Sequence, residues 1–283
     1  MTDRDRAKIA LSYHCVSLTD VYWVKKSDED ISYEKINLYD YSLNEAVVEL
    51  SLHGKPMTVT NQELAPDLST KGCFPKAWIR RGKDFILLKD GGDNAVQKEL
   101  LASRLCQCFD FKQVKYDEGF YDGQKVTQSK IITSRQYSIV SKMAYEIYAL
   151  NHDLNVLNEC LRIDKETYYG MNILDYLVGN IDRHPENWGF LVDNRTNEYV
   201  SLYPIMDFNQ SFGSYDTIDG ANCQTVYPEK KTQREAAIEA VRHVGMHQIK
   251  DIDEEIFEDM TVWKEMFFRR LEELKNAVDT SVF

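Results

Sequence analysis

The stretch "NIDRHPENWGFLVDN", residues 180–194, decides how the rest of the chain is read. It follows "YYGMNILDYLVG" (168–179), whose apolar residues recur at helical spacing and which ends on a glycine suited to a helix C-terminus. Asn180, Asp182, Arg183, His184 and Asn187 then crowd into a short polar run. Asn180 by itself reads as a helix C-terminal residue, Asn194 as a turn residue, and a lone Asp182 as a cap or loop residue. Their order carries more. Asp182 and Asn187 lie five residues apart in a loop leaving a buried helix, with Pro185 stiffening the turn between them. The continuation "NWGFLVDNRTNEYVSLYPIMDFN" (187–209) reads as strand, hydrophilic turn and strand. That hairpin returns the chain beside Asn187 and delivers Asp207 at the end of an apolar run.

Two carboxylates and an amide brought together in this order suit phosphoryl transfer. The reaction needs a carboxylate to orient or deprotonate the acceptor hydroxyl, oxygen ligands for magnesium, and a cation on the phosphates. Magnesium prefers one or two carboxylates with an amide oxygen, phosphate oxygens and water.

Working outward, the first half reads mainly as strands. These are "VYWVKK" (21–26), "YEKINLYDY" (33–41), a hairpin signal at His53-Gly54-Lys55, and "KAWIRRGKDFILLK" (76–89), which turns at Arg81-Gly82-Lys83. One amphipathic helix, "NAVQKELLASRLCQCF" (94–109), interrupts them, and two strands follow in 111–133 around "YDGQ". From about 137 the period changes to helical: "YSIVSKMAYEIYALNHDLN" (137–155), "DKETYYGMNILDYLVG" (164–179), "TQREAAIEAVRHV" (232–244) and "MTVWKEMFFRRLEELKNAV" (260–278). The fold class expected is α+β with two lobes. A strand-rich N-lobe with one helix covers 1–135, and a mostly helical C-lobe covers 136–283.

Charge separates the same halves. The net charge of −12 falls entirely in residues 141–283, while 1–140 balance to zero. That distribution argues against direct nucleic-acid contact, which needs clustered positive charge. No apolar run approaches the roughly 18 residues of a membrane span, the N-terminus lacks the apolar core of a secretion signal, and the six cysteines are scattered. A cytoplasmic protein with reduced thiols and no membrane partner is expected. A local surplus of bases lies between Lys71 and Arg104.

"NIDRHPENWGFL" with "PIMDFN" resembles the catalytic and metal loops of HipA-type kinases, and is similar to the D-R-H-x-x-N and D-F-G pattern of phosphatidylinositol 3- and 4-kinases. Both have the protein-kinase-like fold. More weakly, "STKGCFPKAWI" resembles the phosphate loop of HipA-type proteins, "FILLK" the strand bearing the phosphate lysine, and "QKELLASRL" the helix bearing its glutamate partner. The resemblance spans about 69–210, and the length is closer to the short HipA-like and CtkA-like kinases than to full-length HipA. It implies ATP and Mg2+ as cofactors, with Asp182 as catalytic base and Asn187 and Asp207 as metal ligands. Lys89, paired with Glu99, would hold the phosphates; Ser69, Thr70, Gly72 and Lys76 would form the phosphate loop, with Ser69 or Thr70 open to autophosphorylation. The adenine would meet the backbone of the segment from Ile131 through Thr133 to Ser134. Arg183 and His184 read as scaffold, and Asn209 stands where the phosphoinositide kinases have glycine, at a turn where asparagine tolerates positive φ. The implied reaction is transfer to a Ser/Thr hydroxyl of a protein substrate, with a toxin role and an antitoxin-like regulator as further implications. Phosphoinositide or small-molecule kinase, and a non-catalytic kinase-fold binding or regulatory module, stay open as alternatives; the acidic second half disfavours anionic membranes.

Overall fold

A computed structural model describes residues 11, 14–40, 76–213 and 216–279. The chain forms two compact units. The first comprises Met1–Gly92, Glu118–Ile139 and Val192–Glu198; the second comprises Asp93–Asp117, Val140–Leu191 and Tyr199–Phe283. The expected hairpin at 53–55 and the loop residues Ser69, Thr70 and Gly72 lie outside the described residues.

In the first unit, strands β1 (Lys76–Arg81), β2 (Asp84–Lys89), β3 (Asp117–Tyr121) and β4 (Gln124–Lys130) make a four-stranded sheet in the order β1-β2-β4-β3. Both two-residue turns carry glycine at positive φ, Gly82 at 63° and Gly123 at 76°, as tight hairpins require. Alternation divides the sheet faces: Ala77, Leu88 and Val126 are buried on one, while Phe85 joins Val16, Leu18 and Leu38 on the other.

Two sequence expectations fail here. Residues 21–26 form no strand; Val24 is instead held to His14, its N–H donating to the His14 carbonyl at 2.8 Å. The run from 33 forms a helical turn, α1 (Tyr33–Ile36). Tyr33 and Ile36 are three residues apart and pack together on the Val16–Leu38 cluster, a helical period that the aromatic content masks.

The second unit is helical. It contains α2 (Gly92–Cys106, from Asp93 onward), α3 (Lys142–Asn151), α4 (Val156–Val178), α5 (Gln233–Val244) and α6 (Thr261–Asp279). Strands β5 (Tyr137–Ser141), β6 (Gly189–Asp193) and β7 (Glu198–Leu202) form a three-stranded sheet in that order. Residues 137–141, expected to open a helix, are strand. Ile139 and Val140 are β-branched, and Ser141 supplies the cap that starts α3, its Oγ accepting the Ala144 N–H at 3.2 Å. Residues 111–116, expected as strand, run beside 203–207 with a parallel bridge from Gln113 to Ile205.

Helix α4 positions the candidate site. Asp164 interrupts it with non-helical φ/ψ of −155° and 71°, and its Oδ1 accepts the Thr167 N–H at 3.1 Å, so a second helix starts inside the first. From Thr167 to Val178 every residue is buried, the pattern of a helix enclosed on all sides. Gly170 is required for packing. A Cβ there would lie 2.4 Å from the Phe111 ring. At the other end Gly179 takes the left-handed conformation (φ 62°) and its N–H returns to the Asp175 and Tyr176 carbonyls. Arg270 from α6 donates to the Tyr176 carbonyl at 2.7 Å and to Thr217 O at 3.1 Å. No helix among the described residues is long and apolar enough to cross a membrane.

Candidate active site

The loop after Gly179 is organised by one carboxylate inside α4. Asp175 is 4% exposed, and Arg183 reaches back to it with two bonds of 2.8 Å, Nε to Oδ2 and Nη2 to Oδ1. This fork is the geometry in which arginine pairs best with a carboxylate. Burial acts to lower the Arg183 pKa, but Asp175 and its hydrogen bonds outweigh it and hold the guanidinium above its ordinary value. The remaining amino group, Nη1, donates to the Asn187 carbonyl at 3.2 Å and to the Met206 carbonyl. One buried cation therefore ties the end of the 182–187 loop to the residue before Asp207.

Asn180, also buried, supplies a second tie. Its Nδ2 donates to Asp175 Oδ1 at 3.0 Å and to the Asp207 carbonyl at 3.2 Å, and its Oδ1 accepts the Asp182 N–H at 3.3 Å. Its own carbonyl accepts from Gln233 of α5 at 2.6 Å, while Gln224 donates to the Ile181 carbonyl at 2.7 Å. Asn187 closes the loop on itself, its Nδ2 donating to the Asp182 carbonyl at 2.9 Å. That bond leaves the amide oxygen as the group Asn187 can offer elsewhere. His184 acts on backbone, its Nδ1 accepting the Glu186 N–H at 3.2 Å.

The carboxylates divide sharply. Asp175 is fully engaged; among the described residues no hydrogen bond or ion pair engages the Asp182 carboxylate, which is part exposed. A carboxylate fixed by its main chain and uncommitted through its side chain can accept a proton from an incoming group. Asp207 is 8% exposed and sits at φ 63°, a left-handed conformation that costs a non-glycine residue about 1 kcal/mol. Its N–H donates to the Tyr116 hydroxyl at 3.1 Å, and the Phe208 ring meets Tyr116 edge-on at 6.4 Å. The positive φ thus falls on Asp207, and not on Asn209 where the sequence comparison put it. Among the described residues no group of three or more His, Cys, Asp or Glu is arranged to hold a metal ion. A divalent ion here would take one carboxylate and one amide oxygen from the chain and its other ligands from phosphate and water, a set that suits magnesium.

The remaining candidates fall in both units. Lys89 ends β2 and is 6% exposed; its ladder partners are Lys76 on β1 and Thr127 on β4. Directly opposed residues share a sheet face, so Lys76 and Lys89 lie on the same face of the sheet. Ile131 donates its N–H to Phe85 O at 3.1 Å, and the Thr133 hydroxyl donates to the Leu18 carbonyl. Glu99 belongs to the second unit, 1% exposed on α2.

Comparisons with known proteins bear on the fold. No family model matches the chain. The serine/threonine-protein kinase CtkA of Helicobacter pylori (strain J99 / ATCC 700824) is 27% identical over 148 residues, covering 47% of this chain and 45% of that protein. The chain thus matches less than half the length of this curated relative. The crystal structure of the H. pylori proinflammatory kinase CtkA superposes with a TM-score of 0.54 at 18% identity, covering 73% of this chain and 94% of that one. This is a CtkA- and HipA-like kinase fold. HipA, solved with HipB and operator DNA from the Shewanella oneidensis MR-1 toxin-antitoxin system, matches with a TM-score of 0.52 at 12% identity over 100% of this chain and 73% of that one.

Within this kinase fold, Asp175 and Tyr116 are the residues the sequence did not flag. Asp175 had a signal. It is the one carboxylate in the apolar run "NILDYLVG", where a buried charge demands a partner such as Arg183. Tyr116 had none, because its role depends on 112–116 lying beside 203–207.

Proposed function

We propose that the chain is an ATP- and Mg2+-dependent kinase that transfers the γ-phosphoryl group to a serine or threonine hydroxyl of a protein. The observation that carries this reading is the division of labour in one loop. Arg183 is locked onto Asp175 and two carbonyls, while among the described residues nothing engages the carboxylate of the neighbouring Asp182. The acceptor class draws on the curated relative, which is named a serine/threonine-protein kinase.

In this reading the acceptor oxygen forms a bond to the γ-phosphorus, the bond from that phosphorus to the β,γ-bridging oxygen breaks, and ADP leaves. Asp182 orients the hydroxyl and takes up its proton. Lys89 and Lys76 place positive charge against the phosphates. The adenine edge meets the main chain of 131–134. Because the Ile131 N–H is already bonded to Phe85 O and the Ser134 N–H to Tyr137 O, the donors assigned to the base are those of Ile132 and Thr133. Asn187 and Asp207 would hold magnesium, which neutralises phosphate charge as it develops. An antitoxin-like protein regulator is proposed by analogy with HipA, which was solved together with HipB.

The test is phosphoryl transfer from labelled ATP by purified protein with magnesium, comparing wild type with Asp182→Ala. Loss of the base lowers the rate by about 10²–10⁴-fold. Incorporation that survives the substitution removes Asp182 from the chemistry.

A further inference from the structure

The Asp207 conformation needs explanation. It is left-handed, buried and not a glycine, so other groups must hold it there. Its carbonyl is held by Asn180, from the loop itself. Its N–H is held by Tyr116, which lies outside every motif in the sequence and comes from a segment 91 residues away.

Tyr116 is itself tightly located. It is 4% exposed, and its N–H donates to Ser103 Oγ at 3.0 Å. Ser103 is fully buried on α2, one helical turn after Glu99 and so on the same helix face. On the other side, the Val114 N–H donates to the Ile205 carbonyl and the Ile205 N–H to the Lys112 carbonyl, both at 2.8 Å. These bonds set the register of 112–116 against 203–207, and that register delivers the phenol oxygen to the Asp207 amide. The phenol ring packs on Phe208, and the Arg183 guanidinium also lies over that ring, 5.8 Å from its centre.

We infer that Tyr116 is a positioning residue for the metal-binding carboxylate. Its hydroxyl fixes the main chain of Asp207 in the left-handed conformation and thereby aims the side chain, and Ser103 anchors the Tyr116 main chain to the helix carrying Glu99. The inference rests on the kinase reading above for the identity of the ligand. It goes beyond that reading by naming a residue that touches neither nucleotide nor acceptor and that sets metal affinity through a main-chain bond.

The variant is Tyr116→Phe, which keeps the ring against Phe208 and removes only the acceptor oxygen. Two measurements on the full chain are needed. The first is hydrogen exchange without ligand in the peptide containing Asp207, read against the buried helix 167–178 as an internal standard. The second is binding of a non-hydrolysable ATP analogue with and without Mg2+. Expected is exchange at Asp207 faster by about tenfold with the standard unchanged, the energy of one main-chain hydrogen bond. Metal-free nucleotide affinity stays at the wild-type value, and the factor by which Mg2+ tightens binding falls by about tenfold. Ser103→Ala is expected to act in the same direction. Unchanged exchange at Asp207 overturns the inference, and so does faster exchange with the Mg2+ effect intact. Equal loss of metal-free and metal-dependent affinity, with exchange faster in the standard as well, reduces Tyr116 to a packing residue and also overturns it. If wild type itself shows no Mg2+-dependent nucleotide binding, the kinase reading fails and takes this assignment with it, a result separable from the others because it needs no variant.

Discussion

Replacing Asp175 by asparagine tests the framework under the loop with almost no change of shape. The native carboxylate accepts three donors, two from Arg183 and one from Asn180, and both Asp175 and Arg183 are almost fully removed from water. In the variant the amide oxygen can keep one of these donors, while the new NH2 group faces an Arg183 donor across what was a 2.8 Å bond. The guanidinium keeps its charge and loses its counter-ion. Leaving one partner of a buried pair uncompensated costs about 3–5 kcal/mol. That is a large part of the 5–15 kcal/mol by which proteins of this kind are stable. For a folding unit of about 150–250 residues each kcal/mol lowers Tm by about 2–4 °C, so a drop of about 6–20 °C is expected in calorimetry or thermal circular dichroism. The double variant Asp175→Leu, Arg183→Met removes both charges and is expected to recover most of that stability, because an apolar pair of similar volume replaces a buried ion pair without a desolvation penalty. It is not expected to recover phosphoryl transfer, since the ties from Arg183 to the Asn187 and Met206 carbonyls are gone. A single variant whose Tm falls by less than about 3 °C, or a double variant no more stable than the single, refutes the buried-pair reasoning.

Two further outcomes concern packing. Gly170→Ala places a methyl group 2.4 Å from the Phe111 ring and is expected to cost about 1–3 kcal/mol by chemical denaturation, with most of it restored by adding Phe111→Leu; a neutral single variant contradicts the contact. Cys106 and Cys160 are buried thiols whose pKa burial pushes up, Cys160 to about 12. At pH 8 both are expected to resist iodoacetamide in the folded protein while exposed Cys15 reacts, as read by peptide mass spectrometry, and to react once the chain is unfolded.

Much of the architecture of 164–202 is legible in the sequence, for identifiable reasons. The hairpin 189–202 shows itself through a polar turn between apolar runs, and the helix 167–178 through apolar residues at helical spacing. Arg183 reads as scaffold in the sequence, and it binds Asp175 and two main-chain carbonyls. The misread elements depend on long-range neighbours. Tyr137–Ser141 pairs as a strand with β6, and its direct continuation into the helix from Lys142 conceals this. Tyr33–Ile36 turns as a helix because two of its apolar side chains share one cluster. Tyr116 was invisible because a tyrosine that bonds a main-chain amide far along the chain has no local signature.

Asp164 has a consequence for the lengths that this protein can tolerate. One of its oxygens caps the second half of α4 at Thr167, and the other accepts the Leu202 N–H at 3.1 Å on the returning arm of the hairpin. The helix between that anchor and Gly179 is therefore held at both ends. Deleting any one residue from 165 to 174 would swing Asp175 by about 100° around the axis and shift it by about 1.5 Å, away from Arg183. Chain length in this interval is fixed by geometry as firmly as residue identity, whereas the exposed turn at 195–197 between the two strands can lengthen with little effect.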